Sequence, residues 1–247
     1  FGFYAKDTNR RAGTTTLSNR WNRVEFVKKF GQAVDERVFE KDGKEVHIAS
    51  WNRTEMGVME RGPERAFIEG SYSPGGFYYC TWCGFATRDR TRPRKHNNPR
   101  NEHPCTGSLE RISLGHIFQT DIATVSVTHQ HATEMAGWRS ALYALIEASS
   151  ELLEINRDDI NGTITYWNGG PSMVLYDTVP GGAGISKKII ENFPAVVQAA
   201  LKRVSNCDCG VETSCYSCLR SYQNQRYHEQ LSRGRAIELL SAISALV

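Results

Sequence analysis

The sequence has no stretch of about 18 apolar residues, so no segment offers the uninterrupted hydrocarbon that a membrane-spanning helix needs. It lacks a strong charge of either sign. The 30 Lys and Arg stand against 27 Asp and Glu, which leaves +3 over 247 residues. So mild a balance does not make the whole surface a polyanion footprint, and any basic contact must be local. GxxxxGK followed by Ser or Thr is missing, and so is GxGxxG; Lys187 does not stand where the lysine of a phosphate-binding loop must. That excludes an ATPase motor from this stretch. No Ser-His-Asp or Cys-His nucleophile arrangement is identifiable. Bulk disorder is excluded too, since 40% of the residues are hydrophobic and 23% charged. The chain opens on Phe1 rather than Met and ends at Ala245-Leu246-Val247 in a helical pattern, so it reads as a piece of a longer protein. The lack of a signal peptide is then uninformative.

An even number of cysteines is also lacking. There are seven, which argues against a closed disulfide framework. Their spacing carries the strongest signal. Cys207-x-Cys209 and Cys215-x2-Cys218 stand close together, and four thiolates close a tetrahedron on Zn(II) at about 2.3 Å each. The alternative is local disulfides or buried free thiols. Cys80-x2-Cys83 is followed by Gly84, which permits the tight turn of a zinc knuckle, and Cys105 lies downstream in His103-Pro104-Cys105. Seven Cys and one His make two four-ligand sites. His103 is the first choice for the eighth ligand because its spacing to Cys105 repeats that of Cys207 and Cys209; His96 is second and His116 third. The alternative is a lone CxxC pair, metal-free or redox-active. A thioredoxin-like role is disfavoured because the pair enters an Arg-rich loop, not a helix.

Periodicity organises the rest. Residues 1–20 are polar and read as an arm or loop. From 21 the pattern is strand-like, with alternating Val24 and Phe26, then Val46, Ile48 and Val58, and Phe77-Tyr78-Tyr79 before the first CxxC. Lys41-Asp42-Gly43-Lys44 predicts a type I′ hairpin. Ile117 to Val127 predicts a strand, and Leu142, Leu145, Ile146, Ser149, Leu152 and Leu153 mark one face of a helix. Strands at 163–167 and 173–176 follow, then helices at 185–191, from Pro194, from about Cys215 to Leu231, and at 233–246. The reading is α+β, with mixed β-sheets, packed helices and two zinc nodes. Its parts are an arm at 1–20, a β-rich part at 21–135 with the three-Cys, one-His site, and an α/β part at 136–247 with the four-cysteine site.

Four constellations bear on function. Residues 88–100 hold Arg88, Arg90, Arg92, Arg94, Lys95 and Arg100 against Asp89 alone, beside Tyr78, Tyr79 and Trp82. Phosphate binding with base stacking has this composition; the alternative is a solvated loop. In the predicted helix after the four-cysteine site, Arg220, Asn224 and Tyr227 share a face that suits a nucleic-acid backbone or base. Equally, Asn224 and His228 suit internal hydrogen bonds. Asp177-Thr178-Val179-Pro180-Gly181-Gly182-Ala183-Gly184 sits at a strand-to-helix turn; its glycines either offer amides to a phosphate or let the helix pack closely. His96-Asn97-Asn98 with His103 is loosely similar to HNH nucleases, which need a strand-strand-helix hairpin, and Asp121 with Asp177 is a weak Mg(II) pair.

The stretches Tyr176 to Gly184, Cys207-Asp208-Cys209-Gly210, and Ser214-Cys215-Tyr216-Ser217-Cys218-Leu219-Arg220-Ser221-Tyr222-Gln223-Asn224-Gln225 together resemble the MrfA-type zinc-binding domain. That domain closes MrfA-like DEAD/DEAH helicases and occurs in DrmB-like proteins of the DISARM antiphage system. Phe77 to Gly84, His103-x-Cys105 and Leu114 to Asp121 resemble a larger form with a preceding zinc ribbon. The likeness runs from about 57 to 240, and is looser over the first sixty residues. It implies a non-catalytic, zinc-stabilised accessory domain of a cytoplasmic DNA helicase or helicase-like protein of phage defence or DNA repair. Its partners would be DNA and motor domains in cis or in another subunit, with no membrane. Cys207, Cys209, Cys215 and Cys218 carry over as ligands. A metal-dependent HNH-like nuclease and a protein-interaction module of a defence complex are the alternatives.

Overall fold

The computed structural model describes residues 23–60, 66–68, 71–73, 76–89, 91–128, 134–167 and 170–247. The arm expected at 1–20 lies outside them. The chain forms two compact units: residues 26–57 with 117–247, and the residues through 25 with 58–116. The division differs from the expected boundary near 135, because 26–57 and 117–135 join the unit that holds the helices. The reason is sheet pairing. The long strand β3 (Lys44–Glu60) lies between β1 (Arg23–Lys29) and β11 (Leu114–Val127), so the early strands belong to the same sheet as the late ones.

In the larger unit the sheet order is β1-β3-β11-β13-β12, with β12 at Ile160–Trp167 and β13 at Gly170–Asp177; β2 (Gln32–Lys41) also pairs with β3. The β2–β3 turn is the expected one. Lys41 faces Lys44, and Asp42 and Gly43 take φ of 52° and 71°, the left-handed pair a type I′ turn requires. Period-two alternation separates the faces of the sheet. Ala123, Val125, Met173 and Leu175 are buried with the helices, whereas Ile122, Val174 and Tyr176 form a second cluster with Met56, joined by Trp51 and Phe118. The register sets Ile122 opposite Tyr176 and Val125 opposite Met173.

The helices are α1 (Met135–Leu152), α2 (Ile185–Glu191), α3 (Phe193–Ser205) and α4 (Arg233–Ser244). Trp138, Leu142, Leu145 and Ile146 of α1 are fully buried, each contributing about 1.5–3 kcal/mol by its removal from water. Leu152, expected on the same face, is exposed at the fraying end. Pro194 stands in the first turn of α3, where its missing N–H costs nothing, and Val196, Val197, Ala200 and Val204 form the buried stripe. Helices α1, α3 and α4 pack on one another.

The helix expected from Cys215 to Leu231 does not form. Residues 215–224 are turns and Gln225–Gln230 is a 3-10 segment. The amides of Cys218, Leu219 and Arg220 all donate to the carbonyl of Cys215, at 3.2, 3.0 and 2.9 Å, so the chain curls about one oxygen instead of advancing. Asn224 completes the turn with side-chain bonds that replace helical ones.

In the smaller unit, β6 (Phe77–Cys80) pairs with β10 (Leu109–Ile112) and with β7 (Ala86–Thr87), and β8 (His96–Asn97) pairs with β9 (Pro104–Cys105). Among the described residues its hydrophobic cluster has Phe77 and Ala86 at the centre, edged by Tyr79, Ile112 and Leu114.

Candidate metal centres

Two groups of side chains in the described residues are able to hold a metal: Cys207, Cys209, Cys215 and Cys218, and Cys80, Cys83, His96 and Cys105, with the ligand atoms of each group within 4.8 Å of one another. The four-cysteine group is delivered by the end of α3 and the turn at 215–218. Its Sγ atoms stand 3.5 Å apart for Cys207 and Cys209, 3.4 Å for Cys207 and Cys215, 3.7 Å for Cys209 and Cys218, and 3.8 Å for Cys215 and Cys218. A tetrahedron of thiolates about 2.3 Å from a zinc ion has edges of about 3.8 Å, which these distances match; a disulfide would require about 2.05 Å. All seven cysteines are free thiols.

The protonation of these thiols follows from their crowding. Burial pushes the Cys218 thiol up to about 12. Burial opposes ionisation of Cys215 as well, but hydrogen bonds from the Cys207 thiol and the Ser217 amide outweigh it and bring Cys215 down to about 6. One thiolate held by its neighbours' protons is the arrangement that a divalent cation converts into four thiolates. The Cys215 amide points at Cys218 Sγ at 3.2 Å, an outer hydrogen bond that suits a thiolate ligand.

Residues outside the group lock it to the helices. Arg203 donates from Nε to the Cys218 carbonyl at 3.0 Å and pairs through Nη1 with Glu151. Ser232 receives the Arg235 amide at the start of α4, donates its hydroxyl to the Val211 carbonyl at 3.0 Å, and gives its own amide to Ser140 Oγ at 3.0 Å. The amides of Arg233 and Gly234 bond to the carbonyls of Thr213 and Val211. Sequence reasoning missed Arg203 and Ser232; a serine just before an apolar helix is the one signal that was available.

The second group corrects the choice of histidine. In the β8–β9 hairpin His96 lies directly opposite Cys105, so their side chains share a face. His103 is exposed and stands opposite Asn98, whose amide reaches the His103 carbonyl at 2.8 Å. It therefore sits nearer the turn than the position facing Cys105, and the likeness of spacing to Cys207-x-Cys209 does not survive the pairing. His116 is exposed on β11 and outside the group. His96 is buried, and its Nε2 has no hydrogen-bond partner. An orphaned buried nitrogen beside three thiols fits a zinc ligand, because coordination supplies what hydrogen bonding does not. The knuckle is formed as expected: Gly84 takes φ of 76°, and its amide bonds to the Cys80 carbonyl at 2.9 Å. Cys80 and Cys105 approach to 3.9 Å, and the Gly107 amide points at Cys105 Sγ at 3.3 Å. Burial pushes the Cys83 thiol up to about 11.

The other expected residues divide. Arg88, Arg92, Arg94, Lys95 and Arg100 are exposed on the loop, and Arg90 lies outside the described residues. Arg220 is half-buried and gives its Nε to Ser214 Oγ at 3.0 Å. Asn224 is a correction. It is wholly buried, its oxygen accepts the Ser221 amide at 2.8 Å, its amide donates to the Leu219 carbonyl at 2.7 Å, and His228 Nε2 lies 3.0 Å from its oxygen. Nothing of Asn224 is left for a nucleic acid. Asp177 is likewise committed. Buried in full, it accepts the amides of Ala183, Ile185 and Ser186 at 2.7, 3.0 and 2.9 Å, and the Ser186 hydroxyl at 2.5 Å. The glycine turn thus offers its amides to Asp177 rather than to a phosphate. Gly182, at φ 86°, passes so close to Asp121 that a Cβ there would lie 2.3 Å from the carboxylate. The β8–β9 hairpin is followed by β10, so the strand-strand-helix element of the nuclease reading is not formed at His96-Asn97-Asn98.

Residues 141–219 match the family model described as the MrfA Zn-binding domain, an interval that contains all four cysteines of the first group. The chain is similar to the Druantia protein DruE of Escherichia coli (strain UMEA 4076-1), at 28% identity over 241 residues. That likeness takes in 85% of this chain and 13% of DruE, so the chain spans a small part of that relative's length. Among solved structures it is similar to the DUF1998 helicase MrfA bound to DNA, at 15% identity and a TM-score of 0.49, covering 90% of this chain and 25% of that one. A further crystal structure of MrfA matches at 14% identity and a TM-score of 0.39, covering 87% and 24%. Among the described residues no helix is long and apolar enough to cross a membrane.

Proposed function

We propose that this chain is a non-catalytic, zinc-stabilised accessory domain of a cytoplasmic DNA helicase or helicase-like antiphage-defence protein, and that it contacts DNA through the basic loop at 88–100. The observation that carries this reading is the closed four-cysteine group inside the interval that matches the MrfA Zn-binding domain. Four protein ligands leave no position for a reactive water, so a zinc held there serves structure. It ties the end of α3 to the turn at 215–218, which Arg203 and Ser232 fasten to α1 and α4. The second group, Cys80, Cys83, His96 and Cys105, does the same for the smaller unit, tying the turn at 80–84 to the β8–β9 hairpin. A structural zinc contributes about 10–16 kcal/mol in small peptides, several times what a buried Phe77 contributes.

DNA contact is supported by the run of exposed cations on the loop that the second group anchors. Phosphate contacts by such side chains position a protein without reading sequence. The likeness to DruE, a Druantia protein, supports a place in a larger assembly, in which motor domains lie in cis or in a partner subunit. The test is binding to labelled DNA across a salt series, with divalent metal present. The expected result is salt-sensitive binding without cleavage, weakened by Arg88→Ala with Arg100→Ala. Metal-dependent cleavage lost in His96→Ala would overturn the reading in favour of a nuclease. No binding at low salt would overturn the DNA contact.

A further inference from the structure

A recess of about 280 Å³ opens beside the second group, lined among others by Arg92, Pro93, Arg94, His96, Cys105 and Gly107. Neither Cys80 nor Cys83 lines it, so it is not the space a metal would fill; it lies on the hairpin side of that centre. Among the described residues no acidic side chain lines it. The guanidinium groups of Arg92 and Arg94 are exposed, and neither makes an ion pair or hydrogen bond among the described residues. Zinc with three thiolates and a neutral imidazole carries a single negative charge, so the two guanidinium groups leave this corner positive.

An aromatic residue stands beside the recess, with its root against Gly107 of the lining. Trp82 is 75% exposed, although tryptophan is among the costliest side chains to leave in water. Gly107 leaves room for it. A Cβ on residue 107 would stand 2.6 Å from Cys80 Sγ and 2.9 and 3.0 Å from Cβ and Cγ of Trp82. Only glycine lets this part of the lining pass so close to Cys80 and to the root of the indole. Cys80-x2-Cys83 therefore does two things: it supplies two thiols, and it holds Trp82 outward at the turn between them.

We propose that Trp82 and the recess form a subsite for one nucleotide of single-stranded DNA, with a base stacked on Trp82 and its phosphate held by Arg92 and Arg94. The subsite rests on the DNA-contact reading above and deepens it. An unpaired base exposes the face that an indole can stack on, whereas a base in a duplex is already stacked on both sides. The recess has room for a sugar and phosphate, and its cations meet the requirement of the phosphate.

The test compares the wild-type protein, purified with its zinc, with Trp82→Ala, Trp82→Phe and Arg92→Ala with Arg94→Ala, on a short oligothymidine and on a duplex of equal length. Zinc content and thermal midpoint are measured on each, so that a variant without its centre is recognised. The expected result is that Trp82→Ala weakens oligothymidine binding about five- to hundredfold, the range for one stacked base, and leaves duplex binding within about twofold. Trp82→Phe should restore most of the loss. The double arginine variant should weaken binding and flatten its salt dependence. Oligothymidine should also quench wild-type tryptophan fluorescence by an increment absent in Trp82→Phe. Wild-type affinity in Trp82→Ala, or an equal loss on duplex, overturns the subsite and leaves the DNA-contact reading standing. Failure of the wild-type protein to bind either DNA overturns both.

Discussion

Replacing Asp177 by alanine removes the acceptor for the buried amides of Ile185 and Ser186, for the Ser186 hydroxyl, which keeps the Asp121 carbonyl at 3.2 Å, and for the amide of the exposed Ala183. The carboxylate is closed to water, with Asp177 and Ser186 at zero exposure, so solvent does not replace the bonds of the two buried amides. A buried donor left without a partner costs about 1–3 kcal/mol, and two such amides give about 2–6 kcal/mol. That is large against a domain stability of about 5–15 kcal/mol. With a slope of about 1–3 kcal/mol per molar urea, the midpoint should fall by about 1 M or more, at unchanged slope. Asp177→Asn should cost less, about 1–3 kcal/mol, since one oxygen still serves Ser186 while the new amide faces the buried donor of Ile185. The assay is urea unfolding followed by circular dichroism, in buffer with excess zinc. A loss below about 1 kcal/mol, or a gain, would refute the assignment, because a carboxylate kept for a ligand tends to stabilise the fold when neutralised.

Other outcomes follow from the same geometry. His96→Ala should lose one zinc per chain, whereas His103→Ala should keep both, as read by elemental analysis. Asn224→Ala should lower stability by about 2–3 kcal/mol through the stranded Ser221 amide and Leu219 carbonyl, and leave the salt slope of DNA binding as it was. Arg88→Ala with Arg100→Ala should flatten that slope by about 0.9 for each phosphate left without its cation, measured as the logarithm of affinity against that of salt.

Much of this molecule is legible in its sequence where a feature depends on local chemistry. Asp42-Gly43, the apolar stripe of α3, Pro194 in its first turn and the four-cysteine spacing each need only a few neighbouring residues, and each stands where the pattern puts it. Features that depend on pairing across the chain were less readable. The choice between His96 and His103 is made by the register of a two-residue hairpin, which sets His96 opposite Cys105. The residues after Cys215 carry a helical pattern, yet their amides converge on one carbonyl because two thiols in that turn must reach a common point. Asn224 reads as a contact residue because a helix there would put it on one face with Arg220 and Tyr227; the helix does not form, and burial of the turn makes Asn224 the filler of a loop. Asp177 belongs to the same class. A carboxylate before Pro180-Gly181-Gly182 suits an ion or a turn, and only the placement of Ser186 and its amide decides between them.

That two closed four-ligand zinc centres hold this chain together is best tested by counting zinc per chain on protein purified without added metal, with the Co(II)-substituted spectrum recorded alongside. The expected count is two zincs, with tetrahedral cobalt bands, one centre lost in His96→Ala, and one centre or the fold lost in Cys215→Ser. One zinc in the wild-type protein, unchanged by His96→Ala, would remove the Cys80, Cys83, His96 and Cys105 centre. No zinc at all, with the fold intact, would remove both centres and the zinc-stabilised domain with them.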